Sequence, residues 1–484
     1  MGQITNRSII TNFMWRFFER CGAKLVSFAV SLILARLLAP EAYGTISLVL
    51  VIITILDVFV DSGLGNALIQ KKNADDLDFS TVFYFNVAIC VFLYIGVFAL
   101  APVIAGFYRD EALISLIRVL GLHLVMAGVK NVQYAYVSRT MQFKKFFFAT
   151  LGGTLGAAVI GIWFAYLGYG VWALVAQHLF NSFVDMIILW ATVRWRPQKM
   201  FSWDRLKGLF SFGWKLLVSS LLETVYQNLT QLIIGRLYSS ADLAYYNRGN
   251  QFPSLIVLNV NTSIDSVLMP AMSSEQDNIN RVKNMTRRAI KTSTYIMAPL
   301  MVGLACCATP LIGFLLTEKW LPSVPYLQIF CIIYLTYPIH TANLNAIKAM
   351  GRSDLFLKLE IIKKVLGITL LVATMWHGTM AMALSMLISH ILCIVINSWP
   401  NRKLLGYGYM EQIRDILPEI LLAVIMGSVV TMVGNLGLSD IVTLILQVFA
   451  GAVVYVAGSA ILKLDSFMYL WNIVRPYIAR TNKN

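Results

Sequence analysis

Charge is what this sequence has least of. Only 13% of its 484 residues are Asp, Glu, Lys or Arg, against 58% hydrophobic, where a soluble chain carries about 25% charged residues. That shortage excludes a soluble globular protein. Apolar runs of roughly 20 residues recur along the chain and read as the spans of a polytopic helical membrane protein. Alternating segments of about ten residues are missing, which excludes an outer-membrane barrel. Cysteine is scarce: Cys21, Cys90, Cys306, Cys307, Cys331 and Cys393 all fall inside apolar runs. They supply neither a disulfide framework nor a CxxC site, so they read as core filler. A cleavable leader is not expected, because Arg16, Glu19 and Arg20 interrupt the first apolar run.

Negative charge is scarcer than positive, and the net charge is +15. In a soluble chain that balance would suggest nucleic acid. Here the cations sort by loop instead. Fourteen spans can be placed, and their outward connections hold only Arg36, Arg109, Arg236, Arg248 and Lys319. The alternate connections hold the remaining loop cations, among them Lys71, Arg139, Lys144, Arg194, Lys199, Arg205, Arg281, Arg287, Arg288, Arg352 and Arg402. This asymmetry predicts both termini in the cytoplasm and no nucleic-acid partner. All outward loops are short, which argues against a membrane polymerase or ligase with catalytic groups on an outer domain.

What is present is a repeat. Phe13-Met-Trp-Arg16 returns as Phe212-Gly-Trp-Lys215, Ala35-Arg-Leu37 as Gly235-Arg-Leu237, and Asp61-Ser62 as Asp265-Ser266. Each copy reads as two long apolar helices joined by a polar turn, at Ala39 to Gly44 and at Ser239 to Arg248. Repetition in an apolar chain predicts two similar bundles about a pseudo-two-fold axis, with a cleft between them. The domain reading is 1–193 for the first bundle, 194–212 for an amphipathic linker, 213–402 for the second bundle, and 403–484 for two further helices and a tail.

Polar residues fall at helical spacing inside the apolar runs. Arg16, Arg20, Lys24, Ser27 and Ser31 share one face of the first helix. Lys24 lies roughly 12 Å beyond Arg16 along the axis, a depth at which an ionisable side chain faces the bundle interior. Asp57 and Asp61 are one turn apart, and one span holds Arg118, His123 and Lys130, with Lys130 deeper than Arg118. Lys215, Ser219, Glu223, Gln227 and Gln231 step strictly by four; Asn259, Tyr334, Tyr337 and Asn345 extend the polar lining. Cationic donors suit a diphosphate, so Arg20, Lys24 and Lys130 are its candidate ligands. Amides and flat rings suit a sugar, which makes Gln227, Gln231, Asn259, Tyr334, Tyr337 and Asn345 the candidate glycan contacts. Burial raises a carboxyl pKa, so Asp57 and Glu223 are candidates to couple H+ or Na+. Laying the repeats over each other places Lys24 on Glu223, a pair that would close one end of a cleft. The triplet Asp75-Asp-Leu-Asp78 reads as a solvated surface loop, and no metal site or other cofactor is expected.

Ala35-Arg-Leu-Leu-Ala-Pro-Glu-Ala-Tyr-Gly44, Asp61-Ser-Gly-Leu-Gly-Asn-Ala-Leu-Ile-Gln70, Tyr245-Tyr-Asn-Arg-Gly249 and Ala349-Met-Gly-Arg352 together resemble the Wzx-type, colanic-acid-exporter-like branch of the multidrug/oligosaccharidyl-lipid/polysaccharide exporter superfamily. The resemblance covers essentially the whole chain through the order and spacing of these motifs. It implies an all-α polytopic membrane protein of about fourteen helices, two pseudo-symmetric six-helix bundles plus two C-terminal helices. It also implies a non-enzymatic flippase in the bacterial inner membrane. The cargo would be an undecaprenyl-diphosphate-linked oligosaccharide, with membrane lipids and a polysaccharide polymerase as further candidate partners. A lipid II flippase and a multidrug or cation antiporter are the alternatives within the superfamily.

Overall fold

Apolar runs punctuated by Pro, Gly and short polar turns fold into helices throughout. The computed structural model describes residues 6–61 and 64–481, with side chains from residue 22 onward except at 61, 212, 263, 473, 474 and 476–481. In order come α1 (Asn6–Leu37), α2 (Pro40–Asp61), the short α3 (Leu64–Gln70), α4 (Asp76–Tyr108), α5 (Ala112–Leu120), α6 (Leu122–Arg139), α7 (Lys144–Tyr166), α8 (Val171–Thr192) and α9 (Trp203–Leu237). They are followed by α10 (Ser240–Ser274), α11 (Ile279–Cys306), α12 (Ala308–Leu316), α13 (Val324–Leu335), α14 (Tyr337–Ala349), α15 (Ser353–Thr374), α16 (Thr379–Leu404), α17 (Tyr409–Gly434), α18 (Asp440–Ile461) and α19 (Asp465–Thr481). Among the described residues there are no strands.

Among the described residues, ten helical stretches are long and apolar enough to cross a membrane, Ala112–Arg139 across α5 and α6 among them. The chain is thus an integral multi-pass membrane protein. The polar stripe of α9 and the charges of α15 keep those helices outside the ten, and the count of fourteen spans remains an expectation.

The chain divides into two compact units, Met1–Ala244 and Tyr245–Asn484. In the first, α7 packs on α8 and α1, α4 on α6, and α9 on α2. By packing, therefore, α9 goes with the first unit, one helix later than the linker at which the repeat suggests a boundary. That linker is extended and pinned along the start of α4. Ser80 Oγ accepts from the Gln198 amide at 3.0 Å, and Thr81 Oγ1 from the Ser202 amide at 3.1 Å. Trp195 is buried against Phe79 and Tyr136 and donates its indole N–H to Asp76 at 3.0 Å. In the second unit, α11 packs on α17 and α13, α14 on α16, and α17 on α18.

Two local readings change. The second polar turn is far shorter than Ser239 to Arg248, because α10 begins at Ser240. Ser239 caps it, exchanging hydrogen bonds with Asp242: the Asp242 amide donates to Ser239 Oγ at 3.1 Å and the Ser239 amide to Asp242 Oδ2 at 3.2 Å. The Asp75 triplet is likewise an N-terminal capping box for α4 rather than a uniformly solvated loop. Asp75 Oδ1 accepts the Asp78 amide at 2.9 Å, and Asp78 is fully buried with Lys71 Nζ at 2.6 Å.

The Asp78 backbone N–H, aided by Arg205 and Lys71, holds Asp75 below its usual carboxylate range. A carboxylate with a depressed folded pKa contributes stability above its unfolded value near 3.9, and loses it as pH falls through the folded one. Asp75→Ala should therefore lower stability by about 1 kcal/mol near neutrality. The deficit should shrink as pH drops below the unfolded value, which thermal unfolding of the two proteins across pH will check.

Candidate functional site

The polar residues of the first unit converge because of helical period. His123, Ala127, Lys130 and Tyr134 line one face of α6; His178, Ser182 and Asp185 line one face of α8; Asp57 and Val60 are a turn apart on α2. Of these, Asp57, Val60, His123, Ala127, Lys130, Tyr134 and Asp185 line a cavity of about 360 Å3 together with Asn131 of α6 and Phe146 and Thr150 of α7.

Two side-chain contacts organise it. Lys130 Nζ donates to Asp185 Oδ2 at 2.7 Å, with side chains 25% and 18% exposed. His123 Nε2 stands 3.4 Å from Asp57 Oδ2, while its Nδ1 is 2.7 Å from Ser182 Oγ. The Ser182 hydroxyl also reaches the His178 carbonyl at 3.1 Å. Asn131 fixes the α2 end by donating to the Val60 carbonyl at 2.8 Å. Asp57 Oδ1 is buried and accepts no hydrogen bond from any described residue. A carboxylate with one oxygen facing an imidazole and the other orphaned has acceptor capacity left for a proton or a cation.

The structure thus brings together Asp57 and Lys130 of the sequence candidates, and gives each a partner. Lys130 does not present a bare ammonium to a diphosphate: Asp185 holds it, and an anionic ligand would have to compete. Asp57 meets His123. Lys24 is exposed on α1 and, among the described residues, has no carboxylate within ion-pair distance. The pairing of Lys24 with Glu223 is accordingly not formed in this conformation. Glu223 accepts instead from Gln227 Nε2 at 2.9 Å, one turn along α9. Arg20 lies outside the described side chains.

The glycan candidates divide. Gln227 and Asn259 are exposed; Asn259 donates to the Leu255 carbonyl of its own helix at 2.8 Å, and Gln231 Nε2 lies 3.5 Å from Asn228 Oδ1. Tyr334 and Asn345 pin helices together. The Tyr334 hydroxyl donates to Asn250 Oδ1 at 2.8 Å, and Asn345 Nδ2 to Asp265 Oδ1 at 2.6 Å. Tyr337 stacks on His390, with ring centroids 6.1 Å apart.

Sequence reasoning missed Asp185, the partner of Lys130, although it shares a helical face with His178 and Ser182. It also missed His340 and His390. Their Nε2 atoms lie 3.1 Å apart, with Asn397 Nδ2 2.8 Å from His340 Nδ1 and Thr336 Oγ1 3.1 Å from His390 Nε2.

Comparison with known proteins bears on family and fold. A family model described as polysaccharide biosynthesis protein matches residues 33–325. The chain is 26% identical to the teichuronic acid biosynthesis protein TuaB of Bacillus subtilis, over 76% of this chain and 77% of that one. It is 24% identical to the lipopolysaccharide biosynthesis protein WzxC of Escherichia coli, over 82% and 83%. Its fold is similar to the lipid II flippase MurJ in an inward closed conformation, with a TM-score of 0.75 at 16% identity, covering 94% of this chain and 98% of that one.

Proposed function

Because the chain belongs to the polysaccharide biosynthesis protein family, we propose that it is a Wzx-type flippase. It carries an undecaprenyl-diphosphate-linked oligosaccharide across the bacterial inner membrane by alternating access. The observation that carries this reading is the family match over residues 33–325 in a helical membrane chain whose ionisable side chains gather inside a bundle. A charged group at membrane depth is costly and marks a transport path or a proton relay. The lipid tail stays in the bilayer while the polar head crosses. The step is transport, without bond chemistry.

Loop charge supports cytoplasmic termini, and the units 1–193 and 213–402 are proposed as the two repeats. Diphosphate recognition is assigned to Arg20 and Lys24, with Lys130 joining once Asp185 yields it. Gln227, Gln231 and Asn259 are the proposed sugar contacts, and Tyr337 offers a stacking face. A polysaccharide polymerase on the far side would consume the product. A multidrug antiporter of the same superfamily is the second reading, since the cavity sets Asp57 and Asp185 against Lys130 alone; the family match favours the glycan lipid. The MurJ likeness speaks only to the fold.

Coupling is proposed at Asp57, with His123 as the group that answers its change of charge. Asp57→Asn should leave the protein folded and abolish the dependence of export on the ion gradient. Export that still follows the gradient in this variant would remove Asp57 from the coupling path. The function itself is tested by deleting the gene and assaying lipid-linked glycans. Intact intermediates should build up on the cytoplasmic leaflet; loss of the intermediates themselves would point to a synthetic enzyme.

A further inference from the structure

A second cavity, of about 700 Å3, lies in the C-terminal unit between α11, α17 and α19. Arg281, Asn284, Arg288 and Lys291 step along one face of α11 and line it, three of them cationic. Three of the cavity's four cations are answered by carboxylates: Arg281 by Glu275 at 2.8 Å, Arg287 by Asp415 at 2.6 Å, and Lys291 by Asp465 at 2.7 Å. Arg288 is the fourth. Among the described residues it has no carboxylate within ion-pair distance, and its guanidinium lies 4.5 Å from the centroid of the Tyr469 ring. A guanidinium seated on an aromatic face keeps its in-plane N–H fork free, and that fork matches the two oxygens of a phosphate.

The position of the cavity indicates where that phosphate comes from. Its wall, α19, follows directly on the apolar span α18, so it starts at the membrane surface. Met468, Tyr469 and Trp471 of α19 are exposed, and Phe467 stacks on Trp471 with ring centroids 6.2 Å apart. An amphipathic helix with outward aromatics at that place lies in the headgroup layer. The phosphates most concentrated there belong to lipids. We propose that this cavity is a binding site for the phosphate headgroup of an anionic phospholipid in the leaflet where α18 ends, with Arg288 on Tyr469 as its principal donor. The site is separate from the Asp57 cavity and does not depend on the transport reading.

Native mass spectrometry of the full-length protein in detergent tests this, with phosphatidylglycerol, phosphatidylcholine and inorganic diphosphate as probes. Phosphatidylglycerol should be retained over phosphatidylcholine, and Arg288→Gln should lower its retention by about tenfold or more, the loss expected for a charge-assisted bond. Arg288→Lys should recover only part of it, since a point charge lacks the fork. Tyr469→Leu, which removes the shelf but no charge, should also weaken retention and provides a second reading if Arg288→Gln folds poorly. Equal retention of phosphatidylglycerol in wild type and both variants would overturn the proposal. So would displacement of the lipid by inorganic diphosphate acting through Arg288, because the site would then take a free phosphate.

Discussion

A Thr45→Cys, Ser240→Cys variant, oxidised to a disulfide in a background without other cysteines, should lose export by about tenfold or more and regain it on reduction. The expectation rests on how the two helix turns of the repeat meet within the first compact unit. Thr45 Oγ1 and Ser240 Oγ are 3.3 Å apart. A Cβ on Gly44 would sit 1.6 Å from the Ser240 carbonyl oxygen, and one on Gly235 would sit 2.2 Å from Leu48 Cδ2. Backbones approach so closely only where a side chain is missing. In the proposed alternating access the bundles 1–193 and 213–402 move against each other, so this seam between them parts in each cycle and a covalent strap across it would hold one state. A disulfide at full yield with unchanged export would mean that this seam stays shut throughout transport. Gly44→Ala tests the same contact by wedging: the added methyl cannot fit without separating α2 from the start of α10, at a cost of about 1–3 kcal/mol. Its effect should appear as a shift in labelling at Thr45 and Ser240 positions.

Neutralising Lys130 alone, or Asp185 alone, should be the most damaging single change for folding. Their 2.7 Å pair is mostly shielded from water, and removing one partner leaves an uncompensated charge, which costs about 3–5 kcal/mol. Lys130→Met with Asp185→Leu should recover most of that loss, because two apolar groups replace a pair rather than orphan a charge. Thermal unfolding of the two single variants and the double variant gives the coupling directly. Additive effects within about 0.5 kcal/mol would mean the residues do not interact. The double variant also separates folding from use: if it folds and fails to export, Lys130 has a role with the substrate beyond its bond to Asp185.

Much of the helical architecture was legible because apolar runs and their breaks are local signals. The repeat pointed to the equivalent turns at Ala39 and Ser239, and the depth of Lys130 in an apolar run marked it as facing the bundle interior. What failed was partner choice. Asp185 lies 55 residues from Lys130 along the chain, and no local spacing relates them. The same distance problem hid the partners of Tyr334 and Asn345, which tie their helices to Asn250 and Asp265, 84 and 80 residues away. The turn after α9 was read too long because Asp242, Asn247 and Arg248 look like loop residues. In the fold, Asp242 completes a cap, and Arg248 is buried with its guanidinium 4.9 Å from the Trp320 ring centroid. The Asp75 triplet shows the converse: its spacing fits a capping box, and composition alone obscured that.

The central claim is movement of a lipid-linked glycan between leaflets, and reconstitution measures it most directly. The purified protein is placed in vesicles containing an undecaprenyl-diphosphate-linked oligosaccharide, and a glycosidase is added outside. In protein-free vesicles only the outer-leaflet share should be cut. With the wild-type protein the inner-leaflet share should become accessible over time, and the oxidised Thr45→Cys, Ser240→Cys variant should prevent this. An inner-leaflet share that stays protected in vesicles holding folded wild-type protein would contradict the account.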